Sequence, residues 1–389
     1  MMTPLRKIEQ RRQGLTIVEL LVVVTIIGIL ATILVPRIRV INRDRAIREA
    51  ARVVGSTIAK AVSRATLDDG DFAGIAIERN ANIGEEVVIS GTSYIIPFAG
   101  TRMFVLRSVP NYAGDDFNSR TSSITTLSAT QMAITIAQPI EQVDANGPVI
   151  QPGDRVSLNY GTAKYPIESV SLAGGDLTMV VNFGLGNNLP AVNSTSGRVP
   201  FLVHRRPKKL ESSKVDLPDG FMIDLRLSGP ELPAAFVSTG SNGSAVTNPS
   251  SATRISRTFS VFGQATALAG NSNPTTDDIE ILFNKDGGVD TVRFAFIHDD
   301  GTQRVHTMVP LDMMHFFVTE FQPTSYFQPD GIDSSLYDAD AMWVSVDFRT
   351  GSTNIAYNTP PVGNISGAGF GVGLNASRAL ATGRQSAAQ

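Results

Sequence analysis

The sequence predicts an α+β protein in which a long N-terminal helix precedes a β-rich head of antiparallel sheets. Three patterns indicate this fold. Residues 15–35 form a nearly unbroken apolar run, and apolar residues then recur every three or four positions up to about Leu67. From Phe72 onward the apolar residues alternate in short segments separated by turn residues, which is typical of strands.

The composition is that of a folded chain with a large core. Of the 389 residues, 42% are hydrophobic and 18% are charged, which argues against a disordered protein. The net charge of −3 is unevenly placed, because Arg6, Lys7, Arg11 and Arg12 oppose only Glu9 at the start of the chain. The acidic remainder lacks the basic stripe that phosphates need, so no nucleic-acid partner is expected. The absence of Cys excludes disulfides and thiolate chemistry.

Residues 15–36 are predicted to form a transmembrane helix. At about 1.5 Å per residue, this segment matches the roughly 30 Å hydrocarbon thickness of a bilayer. The basic residues before it are expected to stay in the cytoplasm, which places the head on the other side of the membrane. A cleaved secretory signal peptide and a plain signal anchor are the ordinary alternatives. The first is disfavoured because the run is long and is not followed by a small-residue cleavage site.

Glu19 is the only carboxylate in the apolar run. An ionised side chain at the centre of a bilayer costs about 2.5 to 3.5 kcal/mol, so such a residue indicates a function and a partner. A cut between Gly14 and Leu15 would create an α-amine four residues before Glu19. The amine of a neighbouring subunit would then neutralise this carboxylate.

The same stretch resembles the N-terminal signal of type IV pilins and type II secretion pseudopilins. Gly14, Leu15, Thr16, Glu19 and Pro36 match that signal position by position, although the family usually has Phe where Leu15 stands. The resemblance implies that a prepilin peptidase cuts after Gly14 and methylates Leu15, that Thr16 and Glu19 serve assembly, and that Pro36 kinks the helix. It also implies three further partners, namely other pilin or pseudopilin subunits, an inner-membrane assembly platform and the lipid bilayer.

The predicted organisation follows from these patterns. It comprises a cleaved basic leader (1–14), a transmembrane segment (15–36), an amphipathic continuation of the helix (37–67), a β-rich periplasmic head (68–357) with inserted loops near 110–150 and 229–277, and a flexible tail (358–389). The two inserted ranges are rich in Ser, Thr, Asn, Gly and Pro, which predicts long loops or inserted hairpins, and the tail has little to bury. The apolar stripe of the continuation comprises Ile38, Ile41, Ile47, Ala50, Val53 or Val54, Ile58, Ala61 and Ala65.

Alternating segments predict the strands of the head. They cover residues 85–90, 93–98, 102–109, 131–137, 154–160, 166–172 and 177–183, a three-stranded meander over 278–311 and a final hairpin over 343–357. Four stretches also resemble, loosely, the H-type minor pseudopilins, whose heads are smaller. They are residues 61–65, 73–80, 215–225 and 279–288.

No catalytic constellation is found in the sequence, so the chain is not expected to be an enzyme. The four histidines, His204, His298, His306 and His315, are scattered and fit the surfaces of strands better than a metal site.

No cofactor is expected, with calcium as a weak alternative. The candidate ligands are Asp330, Asp333, Asp338 and Asp340, because related major pseudopilins hold calcium in a late loop.

The sequence therefore predicts a structural subunit of a type II secretion or type IV pilus-like filament. Its expected location is the inner membrane, crossed once with the N-terminus in the cytoplasm and the head in the periplasm, and later a periplasmic or surface filament. Two alternatives stay open. One is a membrane-anchored β-domain that binds or acts on an extracellular polymer, and the other is a DNA-uptake pilin that uses the basic run 205–209.

Overall fold

The computed structural model describes residues 17–67, 73–89, 92–115, 119–128, 131–137, 143–144, 147–173, 176–182, 198–232, 255–256, 259, 272–274, 278–298, 303–321, 335–361 and 368–383. Strands and helices are numbered in chain order. The described part combines helices with antiparallel sheets, which confirms an α+β fold with a β-rich head.

Helix α1 extends over Ile17–Leu67, continuing through position 36. Its second half is amphipathic as predicted, because its apolar side chains lie on one stripe that packs on the head. The buried side chains of this stripe are Ile47, Ala50, Ala51, Val54, Ile58, Ala61 and Ala65. Arg48, Arg52 and Lys60 lie on the exposed side. Four of the seven buried side chains are alanine, so the helix can lie close to the sheet.

Fourteen of the described strands form the main sheet of the head. They are β1 (Ala73–Arg79), β4 (Ala99–Arg107), β13 (Lys208–Lys209), β14 (Val215–Asp216), β15 (Phe221–Asp224), β16 (Gly229–Leu232), β17 (Ile255–Ser256), β18 (Ser272–Pro274), β19 (Ile279–Phe283), β20 (Val289–His298), β21 (Gln303–Met308), β22 (Met314–Glu320), β23 (Met342–Val346) and β24 (Thr353–Tyr357). The path across the sheet runs β17, β16, β22, β15, β4, β1, β19, β20 and β18.

The main core lies between α1 and one face of this sheet. Ile75 and Ile77 of β1 and Phe316 of β22 meet the small side chains of α1 there. The predicted meander and final hairpin are present, since β20 pairs with both β19 and β21 and β23 pairs with β24. The second half of α1 is therefore part of the folded head.

A second sheet is inserted between β4 and β13. It contains β5 (Thr121–Thr126), β6 (Gln131–Ile136), β9 (Arg155–Leu158), β10 (Tyr165–Ala173), β11 (Asp176–Asn182) and β12 (Phe201–His204). These strands lie in the order β12, β9, β10, β11, β6, β5 and enclose a core of their own around Ile134, Met179 and Val203. Both ends of the insertion meet at β4, where Lys208 pairs with Arg107. We call it the inserted sheet.

The insertions predicted near 110–150 and 229–277, as long loops or inserted hairpins, contain strands where the structure describes them. The first range holds β5, β6 and the short hairpin of β7 (Val143–Asp144) with β8 (Gly147–Pro148), and the second holds β16, β17 and β18. The hydroxyl-rich composition was typical of loops, but Thr and Ser also suit a half-exposed strand. A separate hairpin joins β2 (Gly84–Ile89) to β3 (Thr92–Pro97), both of which were predicted.

The flexible tail predicted for residues 358–389 was wrong where the structure describes it. Residues Ala368–Ala381 form helix α2, which packs against the main sheet. Leu374 and Ala381 join the main core, and Ser377 lies 3.0 Å from the indole Nε1 of Trp343. A tail of small residues has enough apolar surface to dock because its helix places Leu374, Ser377 and Ala381 on one face.

Candidate functional site

The first half of α1 is apolar and uncovered. Every described side chain from residue 17 to residue 30 is exposed. Ile17 is 84% exposed and Leu30 is 51% exposed, whereas Ile58 in the second half is fully buried. Soluble surfaces seldom carry so large an apolar patch, which usually marks contact with protein or membrane. This half of α1 is therefore the strongest candidate for a functional surface.

Glu19 lies in the first turn of α1, on the exposed part of the helix. The amide groups of a first helical turn carry partial positive charge, so an acidic side chain is favourable there. Gly14, Leu15 and Thr16 lie outside the described residues, as does the leader 1–14. The backbone at Pro36 is helical, so the structure reports no break in the helix at that position.

We searched the described helices for a membrane span and found none that meets both the length and the hydropathy of one.

Arg43 marks the point at which α1 meets the head. Its guanidinium lies 2.6 Å from Glu320, 3.0 Å from Asp338 and 3.3 Å from Asp340. The next residue, Asp44, accepts a hydrogen bond from the hydroxyl of Tyr357 at 3.2 Å. We call Arg43 and its three carboxylates the Arg43 cluster. The exposed apolar side chains described earlier in α1 end at Leu30, and the described buried ones begin with Ile47.

A comparison with protein families identifies the N-terminal segment that contains the exposed part of α1. Residues 10–35 match the family model described as the prokaryotic N-terminal methylation motif. The chain carries a prepilin signal. The matched range contains Gly14, Leu15, Thr16 and Glu19, so the resemblance inferred from these residues is confirmed. No curated protein and no solved structure gave a significant match.

The prepilin signal suggests membrane anchoring and later incorporation into a filament. It also implies processing by prepilin peptidase and assembly with other pilin subunits. The H-type likeness of the head is not confirmed.

The weak calcium candidates of the chain are only partly described. Asp330 and Asp333 lie outside the described residues, and Asp338 and Asp340 are both ion-paired with Arg43. Among the described residues, no three His, Cys, Asp or Glu side chains are placed to hold a metal ion. The positive charge beside the two described aspartates is the guanidinium of Arg43 in α1.

The basic run 205–209 is not an open loop. It joins β12 of the inserted sheet to the main sheet, and Arg205 is buried. The backbone N–H of Arg206 donates to Asp154 at 2.8 Å, and Lys209 is ion-paired with Asp278. Within the run, Arg205 is thus enclosed by the fold and the ammonium group of Lys209 has a carboxylate partner in the protein.

Asp154 is the buried acid at this junction. It accepts hydrogen bonds from the backbone of Arg206 and of Gln151, yet burial dominates and raises its pKa to about 6. Burial also raises the pKa of Glu280, which lies 2.8 Å from Arg293. One ion pair crosses between the two sheets beside these acids, since the guanidinium of Arg155 in β9 lies 3.2 Å from the carboxylate of Asp290 in β20.

The histidines that the structure describes in detail are buried, not on strand surfaces as predicted. His315 Nδ1 lies 2.9 Å from Ser345 Oγ, and its ring meets Trp343 edge to face. His204 Nε2 lies 3.2 Å from Ser157 Oγ. Each histidine hydrogen-bonds to a neighbouring strand, which satisfies a polar ring inside the core.

Proposed function

We propose that this chain is a structural subunit, a pilin or minor pseudopilin, of a type IV pilus-like or type II secretion filament. The observation that carries the proposal is the run of exposed, mostly apolar side chains over residues 17–30 of α1, which lies within the matched signal. The exposed apolar side chains of this helix must be shielded from water by another apolar surface. The bilayer supplies that cover first, and the helices of neighbouring subunits supply it in the filament.

The energetics favour this assignment. Fully burying one Val, Leu or Ile side chain contributes about 1.5 to 3 kcal/mol, and residues 17–30 present mostly such side chains. The second half of α1 is already buried on the head, so the two halves have separate partners. The helix then acts as a rigid connection between a filament core and an outward-facing head.

The proposed processing gives Glu19 its role. Prepilin peptidase cuts after Gly14 and methylates the amine of Leu15, and Thr16 lies at the start of the mature helix. The amine of one subunit then neutralises Glu19 of its neighbour, because an unpaired carboxylate is costly in an apolar core. Assembly thereby aligns each entering subunit with the one before it.

The remaining parts of the proposal concern location and partners. The basic leader places the N-terminus in the cytoplasm and the head in the periplasm, with residues 15–36 crossing the inner membrane. The assembly platform of that membrane is the further partner. We propose no enzymatic turnover and no cofactor for the chain itself, and the H-type minor pseudopilins remain the subfamily that the head sequence favours.

Mass spectrometry of the N-terminus tests the proposal. Protein isolated from membranes should begin at a methylated Leu15, and a Gly14→Ala variant should keep its leader. A Glu19→Ala variant should be cut and inserted but should give few filaments, whereas Glu19→Asp should retain part of the yield. An intact Met1, or a start beyond residue 35, would overturn the proposal.

The inserted sheet favours a second candidate function, a ligand-binding head on a pilin-type anchor. It has its own core, and its chain enters and leaves beside one strand of the main sheet, β4, as an added binding module would. Binding of an extracellular polymer by the full chain, lost on deletion of residues 110–206 but not on Glu19→Ala, would support it.

A further inference from the structure

Strand β5 is an open edge of the inserted sheet. Among the described strands it pairs with β6 alone. At its start, Thr121 is tied to Val199 by hydrogen bonds, so the open part begins at Ser122. The opposite edge strand, β12, differs because Tyr112 bridges to Val203 there. An exposed edge offers unpaired backbone groups to another strand.

The hydrogen bonds of the hairpin show which backbone groups face outward. Leu127 N donates to Gln131 O at 2.9 Å, which fixes the alternation of bonded and non-bonded pairs along β5. Ser123 and Thr125 therefore bond to β6, while the N–H and C=O of Ile124 and Thr126 point to the free edge. Two neighbouring outward positions are available for pairing.

The sequence of this edge is complementary to itself. The run from Thr121 to Thr126 contains no charge and no Pro, which are the usual features that prevent edge pairing. The residues of β5 on both sides of Ile124 are all Ser or Thr. In an antiparallel pair centred on Ile124, each Ser123 faces a Thr125 and Ile124 faces itself, and such cross-strand pairs are favourable.

Ile124 also leaves one end of the inserted core incomplete. It packs against the core and lies in a row with Ile134 and Met179, but it is only partly buried. A second Ile124 beside it would continue this row and cover the end of the core. The same pairing would place Ser123 and Thr125 of both copies together on the exposed face of the joined sheet.

We propose that two copies of this chain join through β5, paired antiparallel about a two-fold axis at Ile124, to make one continuous sheet from two inserted sheets. This inference goes beyond the filament proposal and does not depend on Leu15 being methylated. The contact is small compared with a stable dimer interface. It acts where the helices already concentrate the subunits, in a membrane or between adjacent filaments.

Disulfide trapping in the full chain tests the register, because the protein has no Cys of its own. Two tagged versions, Ser123→Cys and Thr125→Cys, are produced together in one membrane and analysed on a non-reducing gel. Opposed residues of a non-bonded antiparallel pair are about 4.5 Å apart at Cα, within disulfide reach. Mixed dimers should therefore exceed, at least several-fold, the dimers formed by either version alone.

Two controls separate edge pairing from chance collision. Thr178→Cys with Val180→Cys places the same spacing on partly exposed residues of β11, which is paired on both sides at these positions, and should give few mixed dimers. In the Ser123 and Thr125 background, Thr126→Pro removes an outward N–H without touching the bonds to β6 and should abolish the dimers. Thr126→Ala should preserve them.

Mixed dimers no more abundant than those of either version alone would overturn the proposal, as would equal trapping on β11 or in the Thr126→Pro variant. The N-terminal mass of the same samples reports on processing independently, so a failure of pairing is distinguishable from a failure of the filament proposal.

Discussion

Arg43 Nε of α1 lies 2.6 Å from Glu320 Oε2 at the end of β22. The same guanidinium faces Asp338 and Asp340, so one cation of the helix meets three carboxylates of the head. This contact comes just before Ile47, the first fully buried apolar side chain of α1. The Arg43 cluster therefore marks the place where α1 leaves the head.

Replacing Arg43 with Ala should destabilise the junction. Three carboxylates would lose their shared cation, and the free energy of unfolding of the head should fall by about 1 kcal/mol, since exposed pairs contribute little and networks more. Arg52→Ala is the matched control, because Arg52 pairs only locally with Glu49 of its own helix. Denaturant titration of both variants, at low and high salt, measures the difference. Equal losses in the two variants would contradict a special role for Arg43.

A pair of isoleucine variants separates the two halves of α1. Ile58 is fully buried, so Ile58→Ala should cost the head about 2 to 5 kcal/mol of stability. Ile29 is 57% exposed, so Ile29→Ala should leave head stability unchanged and should reduce filament yield. Thermal unfolding and filament recovery are measured on both proteins. A loss of head stability from Ile29→Ala would mean that the first half of α1 also packs on the head.

The helix and most strands could be predicted from the sequence because their patterns are local. The stripe of α1 recurs at helical spacing, and the prepilin signal is a linear motif, so neither requires knowledge of the fold. Strand β22 was not predicted, because it is buried on both faces and its apolar residues do not alternate. Strand β5 was missed for the opposite reason, since its hydroxyl side chains are typical of a loop.

The Arg43 cluster could not be predicted, because it depends on contacts between distant positions. Arg43 and Asp338 are 295 positions apart in the chain. Charge patterns report neighbours along one helix or strand, and they do not report which carboxylates the fold brings to a given cation. Asp338 and Asp340 were only weak calcium candidates in the sequence, and an acidic run alone does not reveal a partner from α1.

Gly351 should be intolerant of any side chain. Its φ is +64°, and an added Cβ would lie 2.3 Å from the carbonyl oxygen of Gly287 and 2.7 Å from Val62 Cγ2. Gly351→Ala should therefore cost more than the roughly 1 to 2 kcal/mol of left-handed backbone alone. Gly220→Ala is the control, because Gly220 also has positive φ but no atom within 4 Å of an added Cβ. Similar unfolding midpoints for the two variants would show that the contact beneath α1 yields easily.

The docking of α2 is tested by two leucines of that helix. Leu374 is 1% exposed and Leu380 is 50% exposed. Leu374→Ala should lower the free energy of unfolding by about 2 to 5 kcal/mol, and Leu380→Ala should change it little. The change in tryptophan fluorescence should also be larger in Leu374→Ala than in Leu380→Ala, because Trp343 Nε1 is hydrogen-bonded to Ser377 of α2. Trp343 is the only Trp in the sequence. Two near-neutral variants would mean that the C-terminal segment is dispensable for the head.

Asp154 should make the stability of the inserted sheet fall as the pH rises. Its pKa is raised by burial to about 6, above the ordinary value of 3.8, so the folded state holds the proton more tightly than the unfolded state. The resulting stability is fully present below about pH 4 and is lost as the pH rises through 6, at about 1.4 kcal/mol for each unit of pKa difference. The neighbouring Glu280 titrates in the same direction because burial also raises its pKa, so the wild-type curve alone does not isolate Asp154. The measurement is therefore the difference in unfolding free energy between the wild type and Asp154→Asn, taken from pH 4 to pH 7. The wild type should lose its relative advantage across that range, and a constant difference would show that Asp154 does not titrate there.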